Sequence, residues 1–194
     1  MSKKFYRFYG GLMGFQERWL NRMAAKGWRL IRTGKMSYEF EECKPKQYLY
    51  CVEFIGQKSK ENAADYWDFL EDLGYHVFFK NINLNCSVGK AVWRPWAEKD
   101  ARIATNSTTF NRELLIVEKE NDGNPFELHT TLEDKQKYYK TLRYPMLFGF
   151  LFWGVFALIM RVWWVGILSA LFLFFLIFHQ IEIMKLAKQT KFTE

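Results

Sequence analysis

The chain has 194 residues, 49% apolar and 25% charged, with a mean hydropathy of −0.23; that length suits one ordinary domain plus a small extra element. The net charge is +7, yet residues 1–130 hold 20 basic against 17 acidic residues, a surplus too thin for a nucleic-acid-binding domain. Three cysteines without paired spacing, Cys43, Cys51 and Cys86, argue against a disulfide-stapled exported scaffold and for a reducing compartment.

The N-terminus, MSKKFYRFYGG, lacks the apolar stretch of a cleaved signal. A β-prone segment, Phe5–Tyr9, leads into a helix over Leu12–Lys26, where Leu12, Phe15, Trp19, Leu20 and Met23 follow the spacing of one buried face. Gly27 stands where a helix favours a left-handed terminal residue. Strand-like runs follow at Trp28–Ile31 and Met36–Cys43. The same order then recurs: a β-prone run at Gln47–Ile55, a helix over Glu61–Leu73, Gly74, a strand at Tyr75–Phe79 and another within Lys90–Trp96. Superposing Gly27 on Gly74 aligns Leu20 with Trp67, Met23 with Leu70 and Trp28 with Tyr75. The expected fold class is α+β: a duplicated β-α-β-β unit over residues 1–96, forming an antiparallel sheet with two helices on one face.

Residues 97–130 read as a linker and a β-hairpin, with Arg112–Lys119 and Pro125–Thr130 flanking the turn Asn121–Asn124. Thr130 and Glu133 form a capping box for a juxtamembrane helix over 131–144, and Pro145 marks the membrane boundary. From Pro145 to Phe178 the only charged residue is Arg161. A single helix of that length would extend roughly 50 Å, beyond a hydrocarbon core of about 30 Å. It would also place Arg161 near the bilayer centre, at about 2.5–3.5 kcal/mol. Two transmembrane helices, 145–160 and 162–181, turning beside Trp163 and Trp164, avoid both problems. Lysines and arginines crowd both flanks of the pair and its basic tail, 182–194. The expected location is therefore the cell membrane, multi-pass, with both termini cytoplasmic.

A resemblance attaches to the run Trp19–Trp28, to Tyr38-Glu39-Phe40, Tyr50–Phe54, Phe69–Tyr75 and Trp93-Arg94-Pro95. These residues resemble the bacterial domain of unknown function 2812 family, whose members often carry C-terminal membrane helices and are often encoded beside PadR-type transcriptional regulators. The resemblance covers roughly the first half of the chain and transfers no catalytic residue. It implies a regulatory setting, with a transcriptional regulator among the expected partners.

Constellations that would carry catalysis are missing. His76, His129 and His179 share no ligand spacing with the cysteines, and there is no phosphate loop, nucleophile elbow or H-E-x-x-H run. No enzymatic activity, cofactor or metal is expected. Two features carry binding hypotheses. In Tyr48–Ile55 both alternating faces are apolar, so a hairpin, a second copy of the chain or a ligand should cover the one away from the helices. Glu53 is the only acid on its face. Its partner is either a basic residue from a neighbouring strand or a lipophilic cation in a pocket walled by Trp28, Tyr38, Tyr50, Trp67 and Trp93. Drug-binding domains that duplicate a strand-helix-strand-strand unit offer an analogy of fold alone.

The second feature is charge. The first 35 residues hold nine basic residues against Glu17 alone. Arg18, Arg22 and Lys26, four apart on the first helix, and Lys137, Lys140 and Arg143 before the membrane segment are candidate contacts for anionic lipid headgroups. The expected function is a non-catalytic, membrane-anchored cytoplasmic sensor or regulatory module for a small amphipathic ligand, lipid or protein partner. The alternatives are an adaptor holding a transcriptional regulator at the membrane and a membrane-perturbing effector.

Overall fold

The computed structural model describes residues 2–55, 60–82, 86–88, 91–93, 103–104, 114–124, 126, 128 and 132–193. The chain divides into two units, one of residues 1–94 and 98–129, the other of 95–97 and 130–194.

The first repeat is β1 (Ser2–Tyr6), α1 (Met13–Ala25), β2 (Trp28–Thr33) and β3 (Ser37–Glu42). Its three strands form an antiparallel sheet in the order β1-β3-β2. The α1 periodicity does what it predicts: Met13, Trp19, Leu20, Met23 and Ala24 are buried. Trp19 meets Phe5, Tyr38 and Phe40 edge-on, with ring centroids 6.4, 4.9 and 5.5 Å away, the favoured arrangement for aromatic pairs. The opposite face of the sheet is charged, with Lys4 on Glu39 at 2.9 Å and Arg29 near Glu41 at 3.7 Å. Gly27 has φ +82°, and a Cβ there would lie 2.8 Å from the Cys43 carbonyl oxygen, so this turn requires glycine twice over.

The second repeat is β4 (Tyr48–Phe54), α2 (Lys60–Asp72) and β5 (His76–Lys80), with Gly74 again at positive φ. Its sheet has the order β4-β9-β5, all antiparallel, and the central strand β9 is Leu114–Glu120. The topology of the first repeat is thus reproduced strand for strand, with β9 in the place of β3. Between β5 and β9 stands a third small antiparallel sheet, β6 (Cys86–Val88), β7 (Ala91–Trp93) and β8 (Ile103–Ala104).

Two details differ from the sequence expectation. The strand within Lys90–Trp96 forms, as β7, but belongs to the inserted sheet. The strand within Arg112–Lys119 forms too, but pairs with β4 and β5 as the centre of a sheet instead of serving as an arm of a hairpin. Residues 125, 127 and 129–130 of that expected hairpin lie outside the described residues. The reason is visible in β9 itself: Leu114, Leu115, Ile116 and Val117 are all buried, the pattern of a strand covered on both faces and paired on both edges. Alternation gives a strand's faces and says nothing of its neighbours.

The strands also separate into small sheets instead of one continuous sheet. The free edge of β4 is already occupied. Asn21 of α1 exchanges two hydrogen bonds with the Tyr50 backbone, donating to O at 2.8 Å and accepting from N at 2.9 Å, and Glu17 Oε2 accepts from Val52 N at 2.9 Å. Side chains that satisfy an edge in this way leave no ladder for another strand to join.

One face of the second sheet packs under α2, with Ile55, Leu70, Val77, Leu115 and Val117 at its centre. The other face carries Tyr50, Val52, Phe78, Lys80, Leu114, Ile116 and Glu118, all buried. Part of its cover is the first repeat. Leu30 N donates to Tyr50 Oη at 2.8 Å, Thr33 Oγ1 donates to the Phe79 carbonyl, and Lys80 Nζ donates to the carbonyls of Gly34 and Lys35.

The second unit is a hairpin of two long helices, α3 (Leu132–Met160) and α4 (Val165–Thr193). The expected juxtamembrane helix and first apolar helix are a single α3, continuous through Pro145. The turn falls at Arg161–Trp164, where Arg161 adopts φ +53°. The helices approach closely through small residues: a Cβ on Gly149 would lie 2.5 Å from the Phe172 ring, and Ser169 Oγ donates to the Phe150 carbonyl at 2.9 Å. The apolar stretches Lys135–Met160 and Val165–Lys188 are long enough to cross a membrane, and only 11% and 17% of their most apolar windows are buried. A core helix of a soluble domain would be mostly buried; these expose their apolar side chains.

Candidate functional site: a cleft beside a buried carboxylate

Strand β9 places an acid, Glu118, at the end of the apolar run Leu114–Val117, and it is only 2% exposed. Such a group needs strong partners, and the two repeats supply them jointly. Arg29 of β2 donates from Nε at 3.0 Å and Nη2 at 2.9 Å to Glu118 Oε1. Tyr50 of β4 donates to Oε2 at 2.7 Å, while its oxygen accepts from Leu30 N. The hydrogen bonds that Arg29 donates to Glu118 raise the arginine's pKa above its ordinary value. Burial, with the Glu118 charge beside it, pushes the Tyr50 hydroxyl far up. Tyr50 is thus a fixed donor and Arg29 a fixed cation, whose guanidinium carbon lies 4.5 Å from the Tyr48 ring centroid.

Arg29 and Glu118 of this cluster line an open cleft of about 480 Å³. Tyr48 and Tyr75 add aromatic surface, His76 an imidazole, and Lys119 and Glu120 one charge of each sign. The turn at Gly74 delivers Tyr75 and His76 to the cleft directly after α2. Lys119 is anchored by Asp122 at 2.7 Å, whose carboxyl that bond pulls down to about 2. The volume falls within the range of about 300–1,000 Å³ usual for small-molecule sites. Among the described residues no group of three or more His, Cys, Asp or Glu is placed to hold a metal ion.

The residues nominated from sequence are dispersed. Glu53 is buried and accepts a 2.7 Å hydrogen bond from Tyr66 of α2, so it faces the helix-covered side of its sheet. Trp67 packs on that side, 4.0 Å from Phe79 between ring centroids. Tyr50 points the opposite way, to Glu118. Tyr38 is buried against α1, and Trp28 at the start of β2 lies under Lys3 at 4.6 Å. The side chain of Trp93 lies outside the described residues. Of the basic candidates, Arg18 and Arg22 are exposed on α1 and Lys26 is exposed just after it, while Lys137 and Lys140 are exposed on α3. Arg143 is half-buried and donates to Gln180 Oε1 at 2.8 Å.

Sequence reasoning missed Glu118, Arg29, Tyr48 and His76. The signal for Glu118 was present, an acid ending Leu-Leu-Ile-Val, and obeys the argument applied to Glu53. Arg29 and Tyr48 become partners only through the docking of one repeat on the other.

Fold and site together define a two-repeat α+β protein that carries a polar-floored cleft and a C-terminal pair of helices of membrane-crossing length. The chain belongs to the family described as protein of unknown function (DUF2812), whose pattern matches residues 13–151 and so runs from α1 into the apolar part of α3. No curated protein and no solved structure matches the chain.

Proposed function

We propose that this chain is a membrane-anchored regulatory module, cytoplasmic and without a catalytic role, that binds a small amphipathic ligand in the cleft beside Glu118. The observation that carries the reading is the cleft's make-up. Tyr48 and Tyr75 offer flat apolar surface, while Arg29, Lys119 and Glu120 bring both signs of charge to its rim. An apolar body with a charged or zwitterionic head matches both. The Arg29–Glu118–Tyr50 network spans β2, β4 and β9, so a ligand pressing on Arg29 acts on both repeats at once. The helical hairpin supports the membrane part of the reading by its length and apolar surface.

Native mass spectrometry of the full-length protein, extracted gently in detergent from its host, tests this. A reproducible adduct of small-molecule mass is expected, lost in the Tyr48→Ala, His76→Ala double variant. A bare protein in every extraction, or an adduct indifferent to those substitutions, would sink the cleft as the ligand site.

A further inference from the structure

A second polar site lies away from the cleft, between the loop that precedes α1 and the end of β5. Here the described residues surround a cavity of about 10 Å³, room for one water molecule or one monatomic ion. Among the described residues, its polar side chains include two cations, Lys80 and Arg7, and no carboxylate. Lys80 is 3% exposed, and no carboxylate among the described residues lies within ion-pair distance of it. An ammonium has three N–H donors; the carbonyls of Gly34 and Lys35 take two. Its nitrogen also lies 4.4 Å from the Tyr38 ring centroid. Gln16, 1% exposed, and Tyr9 also line it, beside Asn81, and neither the Gln16 amide nitrogen nor the Tyr9 hydroxyl has a hydrogen-bond partner among the described residues. Arg7 brings a second cation to the rim.

These observations share one explanation. Buried donors are nearly always satisfied, and a buried cation without a counter-charge is costly. A water molecule would satisfy the donors and leave the charge. α1 brings no counter-charge of its own: its first turn holds no acidic residue and its N-terminus has no side-chain cap. Burial alone lowers the Lys80 pKa to about 8, which still leaves the ammonium protonated at neutral pH. We propose that this cavity is a binding site for a single small monovalent anion of the halide class, held by Lys80, Gln16 and Tyr9 and joining the start of α1 and the loop before it to the end of β5. A halide accepts from each of these donors and supplies a negative charge that the described residues around Lys80 do not. Because Lys80 belongs to the second repeat and the other two residues to the first, the ion acts as a rivet between them.

The test uses the full-length protein in halide-free detergent buffer, with sodium gluconate replaced stepwise by sodium chloride at constant ionic strength. A ligand that binds only the folded state stabilises it in a saturable way. The melting temperature should rise to a plateau, with a parallel saturable broadening of the chlorine NMR line that bromide competes away. Gln16→Leu keeps the lysine charge and removes one donor; it should weaken chloride by about tenfold or more, as expected for loss of one charge-assisted hydrogen bond. Lys80→Met should abolish the halide dependence, and if that variant fails to fold the Gln16→Leu affinity decides alone. Identical melting in both salts, or broadening that never saturates or is unchanged by Gln16→Leu, overturns the proposal and leaves an ordinary water in the cavity.

Discussion

The two repeats build the same three-stranded sheet but obtain its central strand differently. In the first, β3 follows β2 through a short turn and carries acids on its solvent face. In the second, the strand directly after β5 is diverted into the inserted sheet, and β9 takes the central place after residues 81–113 have intervened. Lengthening the connection from residues 34–36 to residues 81–113 costs roughly 2 kcal/mol in closure entropy, at about 0.6 kcal/mol per doubling. What changes is the environment of the central strand. The outer face of β3 meets solvent, whereas both faces of β9 are covered, and its Glu118 is tied to the other repeat. The same residue type at the centre of the same topology is therefore a surface group in one repeat and a structural pin in the other.

That contrast predicts the largest mutational difference in the molecule. Glu118→Ala strands the Tyr50 hydroxyl and removes two bonds from Arg29, and breaking a buried charged pair costs about 3 kcal/mol even where one partner keeps some solvent. Glu39→Ala in β3 removes a pair whose side chains are 47% and 28% exposed, and water screens such a pair so well that its loss should barely move the unfolding curve. Urea unfolding of both variants measures the gap. Equal costs would mean that the Glu118 network does not pin the repeats together.

A smaller effect separates the two helices. Asn21 of α1 makes two hydrogen bonds to the free edge of β4, whereas Asp68, its counterpart when Gly27 is placed on Gly74, is exposed on α2. Asn21→Ala should cost about 1–3 kcal/mol and increase self-association by baring a strand edge. Asp68→Ala should stay within about 0.5 kcal/mol. Unfolding curves together with sedimentation of the Asn21→Ala variant check both halves.

These residues also show where sequence reading succeeds. Helix periodicity, the two left-handed glycines and the paired positions Met23 and Leu70, both buried, disclose the duplication because they are local signals that each repeat carries in full. The uninterrupted apolar run with a lone arginine disclosed the hairpin for the same reason, since Arg161 sits in the turn. The identity of the central strand of the second repeat was hidden, because pairing across an insertion leaves no local trace in β9. The cleft was hidden for a related reason: Arg29, Tyr48, His76 and Glu118 are spread over four strands, and only the docking of one repeat on the other makes them neighbours. Glu53 attracted attention as a lone acid on an apolar face, but alternation could not show that Tyr66, from a helix, stands opposite it.

The finest distinction between the repeats is electrostatic and lies at Lys80. Tyr38 and Lys80 belong to different repeats and stack at 4.4 Å, so the lysine's ionisation reports on their contact. Burial lowers the Lys80 pKa from 10.5 to about 8. Between those values the unfolded chain binds more protons than the folded one, and stability must therefore rise with pH across that window. Tyr9 works in the opposite sense at higher pH: burial raises its hydroxyl from 10.0 to about 12, which erodes stability as pH climbs through that range. In halide-free buffer the unfolding free energy should accordingly climb from about pH 8 to about pH 10, by an amount on the order of 1 kcal/mol after allowance for solvent screening. Lys80→Met should flatten the climb, whereas Lys35→Met, on the exposed turn whose carbonyl Lys80 contacts, should leave it in place. A flat profile in the unaltered protein would place Lys80 in water and dissolve this contact between the repeats, and a climb that survives Lys80→Met would assign it to another group.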